Sequence, residues 1–260
     1  MSRKLNWRIG CQAYTFRHFT FFETIDKNAS LGLTCIEAYP GQAVSPKRPG
    51  ERFTHNSPPE VLEEVKAKLK SASVHLVNYG VVNLPSDEGE CRKVFDFAKT
   101  MGVEIIVSEP PAEAMDLVDS LCKEYKIHMA IHNHPAPSIY WNPDAVVKAC
   151  AGRSPYIGAC ADAGHWVRSG VNPLEAMKKL EGRILSLHMK DVDRKAPEAV
   201  DVPWGVGVAE SRALLAEIKR QGIKPVFSIE YELPSEEDPL PQVTECVEFY
   251  KKVCAELDRA

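Results

Sequence analysis

The sequence predicts a (β/α)8 barrel, the TIM barrel of the α/β class, on three observations. Short apolar runs alternate with segments of helical periodicity, which is the pattern of parallel strands joined by crossover helices. The alternation gives eight such units in about 250 residues, the usual size of this barrel. The first strand also lacks the glycine-rich turn G-x-G-x-x-G that a doubly wound nucleotide-binding sheet usually carries. We therefore predict one barrel domain over residues 1–260.

The predicted strands are short, apolar and mostly bounded by Gly, Pro or Lys. The Pro-bearing runs 40–58 and 233–241 are predicted to be long loops on the barrel. The strands are RIGCQAYTF (8–16), CIEAYP (35–40), VHLVNYGVV (74–82), VEIIVSEPP (103–111), IHMAIHNHP (127–135), YIGACADAGH (156–165), ILSLHMKDV (184–192) and PVFSIEYE (225–232).

Two of the intervening segments carry clear helix-end signals. In SPPEVLEEVKAKLKSAS, Ser57 is the predicted cap and Pro58 is predicted to lie in the first turn. In NPLEAMKKLEG, Asn172 is the predicted cap and Gly182 is the predicted left-handed residue after the helix. Both segments are therefore predicted to be crossover helices.

The composition argues against several classes of partner. With 44% hydrophobic and 26% charged residues, the chain is typical of a soluble globular protein. A formal net charge of -4 without a tract of Lys and Arg argues against nucleic acid and anionic membranes. The start MSRKLNWRIG lacks an apolar targeting segment, and no later run is apolar enough to span a membrane. We expect a cytoplasmic protein that acts on a small polar molecule, and a homo-oligomer is compatible with this.

The cysteines are predicted to be buried, reduced thiols. They are spread along the chain without a C-x-x-C pair, which argues against a zinc ribbon or a disulfide framework. A buried thiol behaves as a small apolar side chain. The cysteines are Cys11, Cys35, Cys91, Cys122, Cys150, Cys160, Cys246 and Cys254.

Polar side chains collect where the predicted strands end. In a barrel of this kind the carboxyl ends of the strands meet at one mouth, so these side chains become neighbours in space. They are Gln12, Tyr14, Glu37, Asn78, Glu109, His132, His134, Asp162, His165, His188, Lys190, Glu230 and Glu232.

The stretch HNH at the end of the fifth strand indicates a metal site. Residues two apart on a strand face the same side, so His132 and His134 face the mouth together or the helices together. Facing the mouth, they join Asp162, His188 and Glu230 in a nitrogen and oxygen ligand set suited to a divalent transition metal. Each residue taken alone is better explained as a hydrogen-bonded or ion-paired side chain. Their coincidence favours the metal, because burying them without a cation or substrate would be costly.

The other strand-end residues have two interpretations each. Glu37 and Glu109 either act in the site or pair with Lys or Arg from a neighbouring loop. Lys190 either stabilises an oxyanion beside the metal or forms a salt bridge to Asp191 or Glu232. The aromatic residues near the strand ends either form a wall against a sugar or pack in the core. They are Tyr14, Tyr39, Tyr79, Trp166 and Trp204.

The run ACADAGHWVRSGVNP, followed by ILSLHMKD and FSIEYE, resembles the sugar phosphate isomerase/epimerase superfamily of xylose-isomerase-like barrels. GCQAYTF, IEAYPG and HNH extend the resemblance over nearly the whole chain, and D-x-G-H with H-x-K-D is its most specific part. The resemblance implies that His165 and Arg194 contact substrate. It also implies one divalent ion (Mn²⁺, Zn²⁺, Co²⁺ or Mg²⁺) held by His132, Asp162, His188 and Glu230.

These observations predict a divalent-metal-dependent isomerase or epimerase that removes a proton next to a carbonyl of a sugar or polyol. The predicted catalytic residues are Glu230, His165 and Lys190. The predicted substrate contacts are His134, Arg194, Glu37, Tyr14 and Trp166.

One departure from the family pattern keeps alternatives open. Isomerases and ketose epimerases of the superfamily usually have a catalytic Glu at the strand 5 position that His132 occupies here. Members with an HNH form include dehydratases of inososes and lyases of 3-keto-glycosides, so dehydratase or lyase chemistry is the alternative. Glu109, one strand earlier, is an alternative ligand. An apurinic-endonuclease-like nuclease with several metal ions and a sugar-binding barrel without turnover are further alternatives, and the acidic net charge argues against the nuclease.

Overall fold

The computed structural model describes residues 5–233 and 236–259, and its centre is a closed barrel of eight strands. Every strand pairs in parallel with its neighbours along the chain, and the last strand closes on the first. This confirms the predicted (β/α)8 barrel. The strands are β1 (Arg8–Gln12), β2 (Cys35–Ala38), β3 (His75–Tyr79), β4 (Ile105–Ser108), β5 (His128–His132), β6 (Ile157–Asp162), β7 (Ile184–Met189) and β8 (Val226–Ile229).

Helices follow each of the strands. One predicted cap is confirmed, because the Asn172 side chain accepts a hydrogen bond from the backbone N–H of Glu175. The Ser57 cap is wrong: the helix begins at Pro59, and the Ser57 hydroxyl instead donates to the carbonyl oxygen of Arg52 at 3.0 Å. The helices are α1 (Phe21–Ser30), α2 (Pro59–Ala72), α3 (Glu88–Met101), α4 (Met115–Tyr125), α5 (Pro143–Cys150), α6 (Ala163–Arg168), α7 (Pro173–Lys179), α8 (Ser211–Gln221) and α9 (Leu240–Leu257).

Two short antiparallel ribbons lie outside the barrel. The predicted loop 40–58 contains the first, in which Gln42–Ala43 pairs with Arg52–Phe53. In the second, Asp191–Val192 pairs with Asp201–Val202. Part of the predicted loop 233–241, residues 234 and 235, lies outside the described residues.

Several strands end earlier than the sequence predicts. β5 ends at His132 and β8 ends at Ile229, so the polar residues that follow them belong to loops at the mouth. β6 ends at Asp162, whose side chain accepts a hydrogen bond from the backbone N–H of His165 and caps α6. The chain turns into a helix there because a capped helix supplies partners for backbone groups that the strand ladder no longer pairs.

Close packing holds the barrel and its helices together. A Cβ atom added to Gly10 would lie 2.0 Å from the carbonyl oxygen of Cys35, so only glycine allows β1 to approach β2 this closely. Outside the barrel, the rings of Phe21 and Phe53 stack with centroids 4.8 Å apart. In the described parts of the chain no helix is long and apolar enough to cross a membrane.

All eight cysteines are buried, as the sequence predicts, and none forms a disulfide within the described residues. Burial raises the pKa of Cys91 and Cys254 to about 11 and that of Cys246 to about 12, from an ordinary value of 9.0. The folded protein therefore binds these thiol protons more tightly than the unfolded chain does.

We predict that the free energy of unfolding decreases as the pH rises above about 9, because the unfolded thiols ionise there while the folded ones stay protonated. Urea denaturation at a series of pH values between about 8 and 11 measures this. In the triple variant Cys91→Ala, Cys246→Ala and Cys254→Ala the decrease should be shallower. Equal slopes for the triple variant and the parent chain would contradict the prediction.

Candidate active site

The carboxyl ends of the strands surround a cavity of about 430 Å³, called here the mouth cavity. Two depressions of about 740 Å³ lie elsewhere, one beside α1 and α2 and one at the amino ends of the first strands. Neither contains a residue predicted for the site. The mouth cavity is lined by Gln12, Tyr14, Tyr39, Pro40, Val81, His134, His165, Glu230 and Glu232.

A compact group of ligand-type side chains lies at the mouth, and we call it the four-residue cluster: His132, Asp162, His188 and Glu230. One donor atom of each lies within 4.8 Å of those of the others. Within the described residues, four ligand atoms of the cluster are buried and form no hydrogen bond of good geometry, namely His132 Nε2, Asp162 Oδ2, His188 Nδ1 and Glu230 Oε2. The two carboxylate oxygens among them still lie within ion-pair distance of Lys190. An unsatisfied buried polar atom costs about 1–3 kcal/mol. Two imidazole nitrogens and two carboxylate oxygens that converge in this way fit a divalent metal ion.

The barrel register brings these side chains together. Asp162, the last residue of β6, lies directly opposite His188 of β7. One Asp162 oxygen, Oδ1, accepts a hydrogen bond from the backbone N–H of His165 at 2.7 Å, so Oδ2 remains for the cluster. Glu230 follows β8 directly, and its Oε2 lies 2.9 Å from His188 Nδ1.

Glu37 orients the His188 ring from behind. Its Oε1 lies 2.7 Å from His188 Nε2, and its Oε2 accepts hydrogen bonds from Ser228 at 2.6 Å and Asn78 at 3.1 Å. A carboxylate can only accept, so His188 Nε2 carries a proton toward Glu37, and Nδ1 is the nitrogen that faces the cluster. This pairing explains why Glu37 is buried and lies outside the mouth cavity, away from the substrate contact that the sequence predicted for it.

Glu109 holds both histidines of HNH. Its Oε1 lies 3.1 Å from His132 Nδ1 and 2.5 Å from His134 Nδ1, and its Oε2 accepts a hydrogen bond from Ser138 at 2.6 Å. Burial by itself would raise the pKa of Glu109, but these hydrogen bonds outweigh burial and lower it. Glu109 thus lies behind His132, and His132 Nε2 points into the cluster.

Lys190 is a fully buried ammonium among carboxylates. Its Nζ pairs with Glu232 and lies 3.3 Å from Glu230 Oε2 and 3.7 Å from Asp162 Oδ2. Burial alone would lower the pKa of Lys190, but the surrounding carboxylates raise it well above its ordinary value. The sequence suggested a salt bridge of Lys190 to Asp191 or Glu232, and the structure has the one to Glu232. A Cβ atom on Gly164 would lie 2.6 Å from Lys190 Cβ, which explains the glycine of D-x-G-H.

Of three other predicted substrate contacts, Tyr14 lies at the mouth, whereas Trp166 and Arg194 do not line the mouth cavity. Tyr14 is exposed at the mouth, and its ring meets that of Tyr39 edge-on at a centroid distance of 5.2 Å. Trp166 is only 1% exposed and packs in the core, so it does not line the mouth cavity. Arg194 also lies outside the cavity lining, because its guanidinium pairs with Asp193 at 2.5 Å.

Sequence reasoning overlooked Arg168 and Asp201, which form a buried ion pair beside His165. Arg168 lies three residues after His165, and that spacing places the two on one helix face. This signal was present in the sequence. Asp201 belongs to a ribbon far along the chain, and nothing in its local sequence indicates the contact.

The chain belongs to the family of xylose isomerase-like TIM barrels, whose sequence profile matches residues 25–253. An uncharacterised protein from Parabacteroides distasonis ATCC 8503 is 33% identical, with a TM-score of 0.76 over 95% of this chain and 99% of that one. No curated protein is a significant match.

Two more distant solved structures share the fold. A D-tagatose 3-epimerase-like protein is 17% identical, with a TM-score of 0.74 over 97% of this chain and 98% of that one. The probable 3-DHS dehydratase AsbF of petrobactin synthesis in Bacillus anthracis is 12% identical, with a TM-score of 0.71 over 94% of this chain and 98% of that one.

We predict that Glu109→Gln and Glu37→Gln each weaken Mn²⁺ binding roughly tenfold to a hundredfold, because a neutral amide supports the ligand imidazole less well than a carboxylate. Isothermal titration calorimetry of the metal-free protein measures this. Asp162→Asn, which changes a cluster residue, should bind still more weakly. Glu113→Gln on the exposed surface is the matched control and should bind like the parent chain. Parental Mn²⁺ affinity in the Glu37 and Glu109 variants would refute the role given to these carboxylates.

Proposed function

We propose that this protein is a divalent-metal-dependent isomerase or epimerase of a small sugar or polyol, acting by proton abstraction next to a carbonyl. The observation that carries the proposal is the convergence of buried ligand atoms in the four-residue cluster, beside a cavity lined by titratable side chains. Membership of the xylose isomerase-like family supports this reaction class, and the likeness to a D-tagatose 3-epimerase-like protein agrees with it.

The residues proposed to hold the ion are those of the four-residue cluster. When bound, the ion supplies positive charge that stabilises negative charge developing on nearby substrate oxygens. Two imidazole ligands favour a transition metal such as Mn²⁺, Zn²⁺ or Co²⁺, although Mg²⁺ also accepts the two carboxylates.

Glu230 is the proposed base. Burial by itself would raise its pKa, but the nearby Lys190 ammonium outweighs burial and lowers the pKa of Glu230. The carboxylate is therefore ionised at neutral pH and can accept a proton. A carboxylate of such low pKa is a weak base, so neighbouring positive charge has to make the substrate C–H more acidic.

Lys190 is proposed to supply part of that charge. Its ammonium lies 3.3 Å from Glu230 Oε2 and stays protonated, because the carboxylates around it raise its pKa well above the ordinary value. Such an ammonium can donate a hydrogen bond to an oxygen that becomes negative during proton abstraction. Burial makes that interaction stronger than it would be in water.

The mouth cavity supports a small polyhydroxylated substrate. Its volume of about 430 Å³ lies within the range of small-molecule sites. Tyr14 and Tyr39 present an aromatic wall on one side, and aromatic faces pack well against the C–H face of a sugar ring. Other residues that line the cavity, among them His134 and Glu232, carry donors and acceptors that can bind hydroxyl groups.

A dehydratase or lyase is the second candidate, and one observation favours it. The cluster has an imidazole, His132, at the position where a two-carboxylate epimerase has its second base. The site also holds three potential acids, His134, His165 and Lys190, one of which could protonate a leaving hydroxyl or alkoxide. The shared fold with a probable dehydratase agrees with this candidate.

We predict that the parent chain loaded with Mn²⁺ catalyses exchange of a substrate C–H with D₂O, and that Glu230→Gln abolishes the exchange. A panel of ketoses, inososes and 3-keto-glycosides, followed by NMR and mass spectrometry, measures the exchange. Deuterated isomer identifies an isomerase or epimerase, and an unsaturated product identifies a dehydratase or lyase. The rate with Glu230→Gln should fall at least roughly a hundredfold at saturating Mn²⁺, the usual contribution of a general base.

The control for this experiment is Glu245→Gln, which removes an exposed carboxylate of α9 and should exchange like the parent chain. Metal content is measured on the same samples, so that a loss of base is separated from a loss of ion. Undiminished exchange in Glu230→Gln would place the base elsewhere. Three bound ions per chain in place of one would favour a nuclease.

A second variant tests why the cluster has only one catalytic carboxylate. In His132→Glu alone, the new carboxylate would face Glu109, which lies 3.1 Å from the ring that it replaces, and like charges this close repel. We therefore predict that the double variant His132→Glu and Glu109→Gln binds Mn²⁺ more tightly than His132→Glu alone. Its ratio of epimerised to eliminated product should also exceed that of the parent chain. An unchanged product ratio would contradict the role given to position 132.

A further inference from the structure

The guanidinium of Arg168 is fixed by three contacts around its edge. Its Nε donates to the carbonyl oxygen of Ala199 at 3.1 Å, and one terminal nitrogen pairs with the buried carboxylate of Asp201. The other terminal nitrogen lies 3.2 Å from Nδ1 of His165. Arg168 is itself largely buried, with 12% of its side chain exposed. The group is therefore built into the protein rather than free at the surface.

The chemistry of arginine determines which nitrogen of His165 carries its proton. A guanidinium has only donors and keeps its charge in proteins, so the imidazole nitrogen that faces it must accept. A neutral imidazole carries one N–H, which then lies on Nε2. We propose that Arg168, held by Asp201, is a positioning residue that fixes His165 as the Nε2–H tautomer, with this N–H serving as the hydrogen-bond donor to a substrate oxygen.

Two polar groups lie near Nε2, and neither takes its proton. Lys190 Nζ is also a donor, but at 3.5 Å it lies farther from Nε2 than Arg168 lies from Nδ1, so Arg168 competes better for the one lone pair of the ring. Asp162 Oδ2 lies 3.6 Å away, beyond hydrogen-bond distance. His165 lines the mouth cavity, so a substrate hydroxyl or carbonyl that enters can accept this proton.

The opposite tautomer would create a conflict. A proton on Nδ1 would point at the Arg168 donor at 3.2 Å, and Arg168 is held in place by two other partners. Lys190 has carboxylates to pair with and does not depend on an imidazole acceptor. Arg168 therefore decides the tautomer.

This assignment also separates two possible ligand sets. His165 belongs to a second grouping of potential ligands with His132 and His134. A metal ligand must present a lone pair, but one nitrogen of His165 accepts from Arg168 and the other carries a proton. His165 is thus assigned to substrate, and the four-residue cluster remains the metal site.

Asp201 connects Arg168 to Glu232, which also lines the mouth cavity. Its Oδ1 pairs with Arg168, and its Oδ2 accepts a hydrogen bond from the backbone N–H of Glu232 at 2.8 Å. The side chain of Glu232 in turn pairs with Lys190. One buried carboxylate on the Asp201–Val202 ribbon therefore anchors both proton donors at the mouth.

The experiment is ¹⁵N NMR of the full chain labelled at histidine, without metal and with Zn²⁺. His165→Gln identifies the signals of His165. In the parent chain we expect a pyridine-type Nδ1 and a protonated, pyrrole-type Nε2 at neutral pH, with no change of type when Zn²⁺ binds. A protonated Nδ1 in the parent chain, or coordination of Zn²⁺ by His165, would overturn the proposal without any variant.

Variants extend the test. Arg168→Met should give a mixture of tautomers or Nδ1–H, whereas Arg168→Lys, which keeps a donor, should largely retain the parental signals. Arg153→Met is the matched control. Arg153, like Arg168, pairs with a carboxylate, but its partner is the exposed Asp116, and it does not line the mouth cavity. Parental tautomer signals in Arg168→Met would overturn the role of Arg168.

The kinetic part of the test rests on the proposed function. Arg168→Met should lower kcat for C–H exchange roughly tenfold or more, with little change in metal content, and Arg168→Lys should restore part of the loss. If the protein exchanges no C–H of any substrate in the panel, this result refutes the proposed function but leaves the tautomer assignment untouched. The NMR result on the tautomer stands apart from that outcome, so the two failures are distinguishable.

Discussion

The burial of charge at the mouth is the constraint on which the rest of the site depends. Ionised carboxylates and imidazoles withdrawn from water need counter-charges or hydrogen bonds at nearly every free position. Glu37 and Glu109 meet this need behind the two imidazoles, and Lys190 meets it between Glu230 and Asp162. One ligand atom of each residue in the four-residue cluster points toward the others, and this convergence makes the cluster a candidate metal site.

Glu109 also explains how the two histidines of HNH are oriented in this barrel. Glu109 orients two imidazole rings. The His132 ring points its Nε2 into the four-residue cluster, and the His134 ring lines the mouth cavity. In the proposed enzyme, the carboxylate that an epimerase presents to substrate is replaced by a carboxylate that supports His132. Such a site would retain the electrostatics for proton abstraction with one base fewer.

The short ribbon after β7 supplies Asp201, a buried carboxylate that contacts residues on both sides of it in the chain. Asp201 lies opposite Val192 in the ribbon, and its side chain joins Arg168 on α6 to the segment after β8. A buried ion pair of this kind adds little net stability compared with apolar packing but fixes geometry strongly. The positions of His165 and Lys190 therefore depend on a strand pair outside the barrel.

The sequence by itself determined the barrel and grouped the residues of the four-residue cluster. Strand and helix periodicity is local, and the carboxyl ends of barrel strands always meet at one mouth, so His132, Asp162, His188 and Glu230 could be grouped without coordinates. It also placed Trp166 and Arg194 in the site, and the structure puts neither in the mouth cavity.

Only the tertiary structure decided which carboxylate hydrogen-bonds to the outer nitrogen of each imidazole in the four-residue cluster. Glu37 and His188 are 151 residues apart, and Arg168 and Asp201 belong to different elements. Such contacts depend on side-chain direction and packing between elements, which no local pattern encodes. Proximity in the barrel could be predicted, but the hydrogen bonds that assign each proton required the assembled core.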